Sequence, residues 1–197
     1  MSIDKIKFTF TGISALMMCR DTLVDVLHPL TIAHKKLTSI KGKNRTEKVE
    51  AQLQRSGWEA MLYWDEKLGP YVPMEAIRKC IEAGARKTKN GAMIREATFF
   101  DVDMVALKYK GPRDRDGMYD AGYLDRRSVV QGQSRVMKTR PKFAAPWSLT
   151  FDLALDPDAA KRDEVVAAAE TAGKYCGLLD MRPALGGSYG RFMVEAK

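Results

Sequence analysis

Lys7-Phe8-Thr9-Phe10-Thr11 alternates polar and aromatic residues and is closed by Gly12, the period-two pattern of a half-buried strand. Ser14 to Lys43 follows as a long loop with Pro29 and Gly42 as breakers. From Asn44, an N-cap with Glu47 three residues on, Val49 and Leu53 begin a helical stripe, and Gly57 interrupts it before Trp58, Met61 and Leu62. One kinked helix and a helix followed by a strand both fit. Gly69-Pro70-Tyr71-Val72-Pro73 predicts a turn with Pro73 at the first helical position. Met74, Ile77 and Ile81 then recur at helical spacing until Gly84, giving a helix over about 73–83.

Thr98 to Tyr109, rich in Phe and Val, predicts a strand, and Gly111 to Gly117 a polar loop. Val129-Val130 and Ser134 to Thr139 predict an exposed two-stranded ribbon around Gly132. Leu149, Phe151, Leu153 and Leu155 alternate through a strand over 148–155. Asp156-Pro157 opens a helix over about 157–172, striped by Val165, Val166, Ala169 and Ala172, and Gly187 to Glu195 is the closing strand. With the insertions removed the order is β-α-β-β-α-β, so the fold class is α+β: a ferredoxin-like, RRM-like core with a long insertion after strand one and a basic β-ribbon. The chain is read as one domain over 1–197, with insertions at about 14–68 and about 110–142. The open sheet face of such a core is the one RNA-recognition domains use to stack bases.

The 197 residues, 45% hydrophobic and 29% charged, exclude wholesale disorder, collagen and coiled coil. The longest uncharged run, Thr9 to Cys19, is too short to cross a bilayer, and the stretch from Met1 to Lys7 has no signal-peptide core, so the expected compartment is the cytoplasm and no membrane partner is expected. Cys19, Cys80 and Cys176, odd in number and widely spaced, suit reduced thiols better than bridges or a zinc site.

Charge changes the picture more. The net charge is +8, and it is concentrated: Lys35 to Arg55 carries +5, Arg78 to Arg95 +5 and Arg126 to Lys142 +6. Those windows hold +16 between them, so the remainder carries −8, a division that points to a polyanionic partner. The candidate contacts are Arg20, Lys35, Lys36, Lys41, Lys43 and Arg45 in the first insertion, Arg86, Lys87 and Lys89 after the first helix, and Arg135, Lys138 and Arg140 on the ribbon. Near the end, Gly186, Gly187 and Gly190 would let backbone N–H groups approach phosphates, with Arg182 and Arg191 supplying charge and Gly187 and Tyr189 lying in the loop itself.

Three places carry a resemblance to a known family: Gly12 leading to Met17-Met18-Cys19-Arg20-Asp21, the segment Gly69 to Ile77 with its proline-marked helix start, and Gly177 to Pro183 followed by Gly186-Gly187-Ser188-Tyr189-Gly190-Arg191-Phe192. In these the chain resembles the RAMP superfamily, the repeat-associated proteins of CRISPR effector complexes, and most of all the backbone subunits that coat guide RNA. After Pro73 it departs, with Met-Glu-Ala where Gly-Ser-Ser is often found. The resemblance implies binding of single-stranded RNA in a ribonucleoprotein with antiviral defence as its setting, and assembly with copies of the chain or other effector subunits. A stand-alone relative carried by a phage or mobile element fits the same residues.

Single-stranded DNA binding or annealing is the alternative, because stacking and phosphate contacts hardly distinguish the sugars. A metal-independent endoribonuclease is the enzymatic alternative, since some RAMP ribonucleases use a histidine, which points to His28 or His34 with Lys35 nearby; separately, backbone subunits in one branch of the family cut target RNA with an aspartate, which points to Asp21 or Asp25. Asp101 and Asp103, at period two, share a strand face beside Lys108 and Lys110. No phosphate-binding, dinucleotide-binding or nucleophile motif is present, so no catalytic residue, metal or cofactor is assigned and the primary reading is a non-enzymatic binder.

Overall fold

The computed structural model describes residues 2–197, and Met1 lies outside them. In chain order the elements are β1 Asp4–Gly12, β2 Leu16–Met17, α1 Pro29–Thr38, α2 Glu47–Met61, β3 Trp64–Asp65, β4 Gly69–Pro73, α3 Met74–Arg86, α4 Gly91–Ala97 and β5 Thr98–Phe99. They continue with β6 Met104–Ala106, β7 Lys108–Tyr109, α5 Arg115–Asp120, β8 Leu124–Gln131, β9 Ser134–Phe143, β10 Trp147–Leu155, α6 Arg162–Thr171 and β11 Phe192–Ala196. The class is α+β with antiparallel sheets, and among the described residues no helix is long and apolar enough to cross a membrane. The chain divides into two units: one of 64–110, 143–197 and the residues up to Met17, the other of 18–63 and 111–142.

The first unit is built on a sheet in the order β11-β1-β10-β5, with β7 also on β10. β1 pairs antiparallel with β10 from Asp4 opposite Leu155 to Thr11 opposite Ser148, and with β11 from Phe8 opposite Ala196 to Gly12 opposite Phe192. Period two then puts Ile6, Phe8 and Phe10, Leu149, Phe151 and Leu153, and Phe192 on one face, all buried. The aromatics interlock there, with Phe10 stacked on Phe192 at 4.2 Å and edge-on to Phe151 at 5.0 Å between ring centroids.

Two helices, α3 and α6, pack on each other through this core. α3 does not stop at Gly84 but continues to Arg86, because Gly84 lies at their crossing: a Cβ there would meet Ala168 O at 2.2 Å. A similar approach occurs at Gly173, where a Cβ would meet Phe192 O at 2.3 Å. The second helix starts later than its proline suggests. Asp156 closes a turn onto the Asp158 N–H, and α6 begins after Lys161, whose N–H donates to Glu164. The expected strand over 98–109 is three short strands, β5, β6 and β7. Gly69–Pro73, expected as a turn, is itself the strand β4, paired with β6.

The second unit has its own core around Trp58, Met61, Leu62 and Met118. Pro29, expected as a breaker in a loop, instead occupies the first turn of α1, and the His28 side chain caps that helix by accepting from the Leu30 N–H. α2 is one continuous helix through Gly57, capped by Thr46. Trp58 fixes it to the second insertion: its Nε1 donates to Tyr123 O at 2.8 Å and its ring stands edge-on to Tyr119. Arg55 sits over the Tyr119 ring at 4.5 Å and pairs with Glu59 and Asp116. β8 and β9 form a hairpin around Gly132, whose φ of +61° is the left-handed geometry that favours glycine.

Candidate nucleic-acid interface

α2 presents Glu50, Leu53, Gln54, Gly57 and Met61 at i, i+3, i+4, i+7 and i+11, so these positions share one helix face. On α1 His34 and Thr38 are one turn apart. On the ribbon Arg126 stands opposite Thr139, which puts it on the same face as Arg135 and Met137. These residues, with Leu23, Arg45, Val136 and Lys138, line one cleft of about 630 Å³ within the second unit. Among the described residues that line it, four are cationic, Arg45, Arg126, Arg135 and Lys138, against a single carboxylate, Glu50; Lys138, opposite Arg127, lies on the ribbon face away from Arg126 and Arg135.

Glu50 is bonded by Arg45 Nε, and that bond, with the charges of Arg45 and Arg126, holds its carboxyl below the usual carboxylate range. His34 Nδ1 lies 3.1 Å from Ser56 Oγ, and partial burial lowers the imidazole pKa, so the ring is predominantly neutral at physiological pH. Positive potential in the cleft therefore comes from the three arginines and the lysine. Arg126 and Arg135 are exposed and Lys138 half-buried, so all three can move to meet an anion.

Of the residues expected from the sequence, Arg45, Arg135 and Lys138 come together here. Arg20, Lys35, Lys36, Lys41 and Lys43 belong to the same unit but do not line the cleft; the Arg20 N–H donates to Met61 O, and the four lysines are exposed. Arg140 requires correction as a contact: it is 5% exposed, and its charge, with that of Lys142, adds to the hydrogen bonding and charge of Arg127 that chiefly hold the Asp125 carboxyl low. Arg126, Glu50 and Gln54 escaped the sequence reading. The signal for Arg126 was the register of the ribbon, which runs from Leu124 rather than from Val129.

In the first unit Arg86 pairs with Glu82 at 2.7 Å, while Lys87 and Lys89 are exposed after α3. The glycine-rich ending is also corrected. The N–H groups expected to cradle phosphate already donate within the chain, Gly186 to Pro183 O, Gly187 to Arg182 O and Gly190 to Ala15 O, and the Tyr189 N–H donates to Met181 O. A Cβ at Gly187 would meet Met181 O at 1.9 Å and one at Gly190 Leu178 O at 2.1 Å, so these glycines permit backbone-on-backbone packing. Arg182 donates to Leu179 O and Arg191 to Lys174 O.

The open face of the main sheet carries Lys5, Lys7, Thr9 and Thr11 on β1 and Ser148, Thr150 and Asp152 on β10. Its central aromatics all point into the core, so those two strands offer no base-stacking platform. The catalytic candidates are dispersed too. His28 is a helix cap, Asp25 accepts from the Leu27 N–H, and Asp21 precedes a short helical turn. Asp101 and Asp103 lie between β5 and β6 rather than on a strand, with Asp103 O accepting from the Met74 N–H. Among the described residues no group of three or more His, Cys, Asp or Glu is placed to hold a metal ion. Comparison of the sequence with known protein families and with curated proteins finds no match.

Proposed function

We propose that the chain binds single-stranded nucleic acid, RNA before DNA, in the basic cleft of its second unit, and that it does so without cutting the strand. The observation that carries this reading is the gathering of Arg45, Arg126, Arg135 and Lys138, drawn from a loop and both ribbon strands, around one cleft with a single acid among them. Four cations spaced around a cleft match a ligand with repeating negative charge better than one small anion does. The exposed Lys35, Lys36, Lys41 and Lys43 of the same unit add to its field.

The first unit is read as ferredoxin-like. Counting only the four main strands in chain order, its sheet runs fourth, first, third, second, with α3 after the first strand and α6 after the third, the arrangement of a split βαβ core. This supports the RAMP-like reading, in which the chain is a relative of guide-RNA-coating backbone subunits and assembles with copies of itself or with other effector subunits. The preference for RNA rests on that resemblance.

The test is electrophoretic mobility shift with RNA, single-stranded DNA and duplex of matched length, with the RNA recovered afterwards. Both single strands shift, RNA at the lower protein concentration, duplex binds more weakly, and the recovered RNA is intact. Failure of all three ligands to bind at low salt overturns the nucleic-acid reading. Cleavage that survives a chelator and disappears in His34→Ala replaces it with the endoribonuclease.

A further inference from the structure

Positive charge alone does not account for the cleft. Leu23, Leu53, Met61, Val136 and Met137 make much of its lining, and Met137 is 54% exposed. A sugar-phosphate backbone satisfies arginines but brings no flat apolar face to cover such a wall, whereas a nucleobase does. The volume of about 630 Å³ lies in the range that accepts a small organic ring system with its substituents.

Glu50 is the second anomaly. Every phosphate entering the cleft is repelled by it, so a site built for phosphate alone would bind better without it. Its place in the first turn of α2 suits the positive end of the helix dipole, and it holds Arg45, which is the purely structural account. Yet Arg45 takes only Oε1, so Oε2 keeps its acceptor capacity, and an ionised carboxylate accepts hydrogen bonds but cannot donate them.

We propose that the cleft takes in one unpaired nucleobase of the bound strand, and that Glu50 is the residue that selects it, favouring a base with an exocyclic amino group. The inference rests on the single-strand reading above. Among pyrimidines it prefers cytosine to uracil: the cytosine amino group donates to the carboxylate, while the uracil carbonyl at the same ring position meets it acceptor to acceptor. The flanking phosphates lie against Arg126, Arg135 and Lys138, and contribute equally whatever the base.

Fluorescence anisotropy with labelled oligocytidine and oligouridine of equal length, slightly above neutral pH, tests this because phosphate number and ring size are matched. The wild type binds oligocytidine about tenfold more tightly, the effect of one charged hydrogen bond made or left unmade. Glu50→Gln can donate as well as accept, so the difference shrinks to within about twofold while both oligonucleotides bind at least as tightly as before. Lys138→Ala weakens both by the same factor and keeps their ratio. Equal affinities in the wild type, or a Glu50→Gln variant that keeps the ratio, overturn base selection and leave Glu50 as a helix-end charge. Binding of neither oligonucleotide by the wild type is a different failure, because it overturns the single-strand reading itself.

Discussion

Replacing Arg126, Arg135 and Lys138 together by Ala removes three of the four cations of the cleft and leaves Arg45, the helices and the buried Thr139 and Arg140 in place. Each phosphate neutralised by a cation releases condensed counterions, which gives a log–log salt slope of about −0.7 per contact on a single strand. If each cleft cation meets one phosphate, the wild-type slope is about −2.8, so affinity falls roughly fiftyfold between 50 and 200 mM salt. The triple variant retains one contact, a slope of about −0.7, and loses only about threefold over the same range. The measurement is anisotropy of a labelled RNA titrated at several potassium chloride concentrations, with circular dichroism to establish that the variant folds. The variant binds more weakly at every salt concentration, and the two lines converge as salt rises. A triple variant whose slope stays near that of the wild type refutes the reasoning, because the counterions are then released elsewhere, with the exposed Lys35, Lys36, Lys41 and Lys43 the first place to look.

Gly84→Ala puts a methyl group 2.2 Å from Ala168 O and 2.7 Å from Ala172 N, backbone on both counts, so α3 and α6 must separate. Overpacking of about 1–3 kcal/mol outweighs the roughly 1 kcal/mol that alanine gains in helix propensity, and Tm falls by several degrees; a rise in Tm would show the crossing to be loose. His34 has a folded-state pKa below its unfolded value because burial disfavours the imidazolium. Its contribution to stability is therefore complete above about pH 6.5 and declines as pH falls below that, since the unfolded chain binds the proton more readily. Urea unfolding at pH 7.5 and 5.5 shows a smaller pH-dependent loss in His34→Gln than in the wild type, and equal losses would show that the ring gains no protection from burial.

What the sequence disclosed was set by the range of the interactions involved. The strand through Phe8 and Phe10, the helix through Ile77 and Ile81 and the strand through Phe151 and Leu153 each bury one face, so a local period reports them. Pro29 misled because the same fixed φ that breaks a helix interior starts one at its first turn, and no local feature says which side of the proline is helical. Gly84 misled for a different reason: its small size answers to Ala168, far along the chain, rather than to the end of its own helix. The glycine-rich ending is a case of the same kind, since the partners of Gly187 and Gly190 are carbonyls in preceding turns. The basic windows were visible as composition, and from them Arg45, Arg135 and Lys138 could be named. Their convergence with Glu50, His34 and Arg126 needed the hairpin register and the α1–α2 contact, which no window of the sequence contains.

The second unit draws on two stretches that leave the ribosome at different times. Residues 18–63 precede residues 111–142, and the bond that ties them, Trp58 Nε1 to Tyr123 O, joins positions 65 apart. At about 5–20 residues per second, Trp58 waits roughly 3–13 s for the carbonyl it will donate to. Through that interval one of the largest buried side chains of the protein has neither the Tyr119 ring nor Tyr123 to pack against, so the nascent chain offers a holding chaperone a defined apolar face on α2. Cleft formation is then gated by translation. A ribosome stalled before residue 111 carries α2 but neither Arg126 nor Arg135, so the positive charge of the cleft arrives late and abruptly in synthesis.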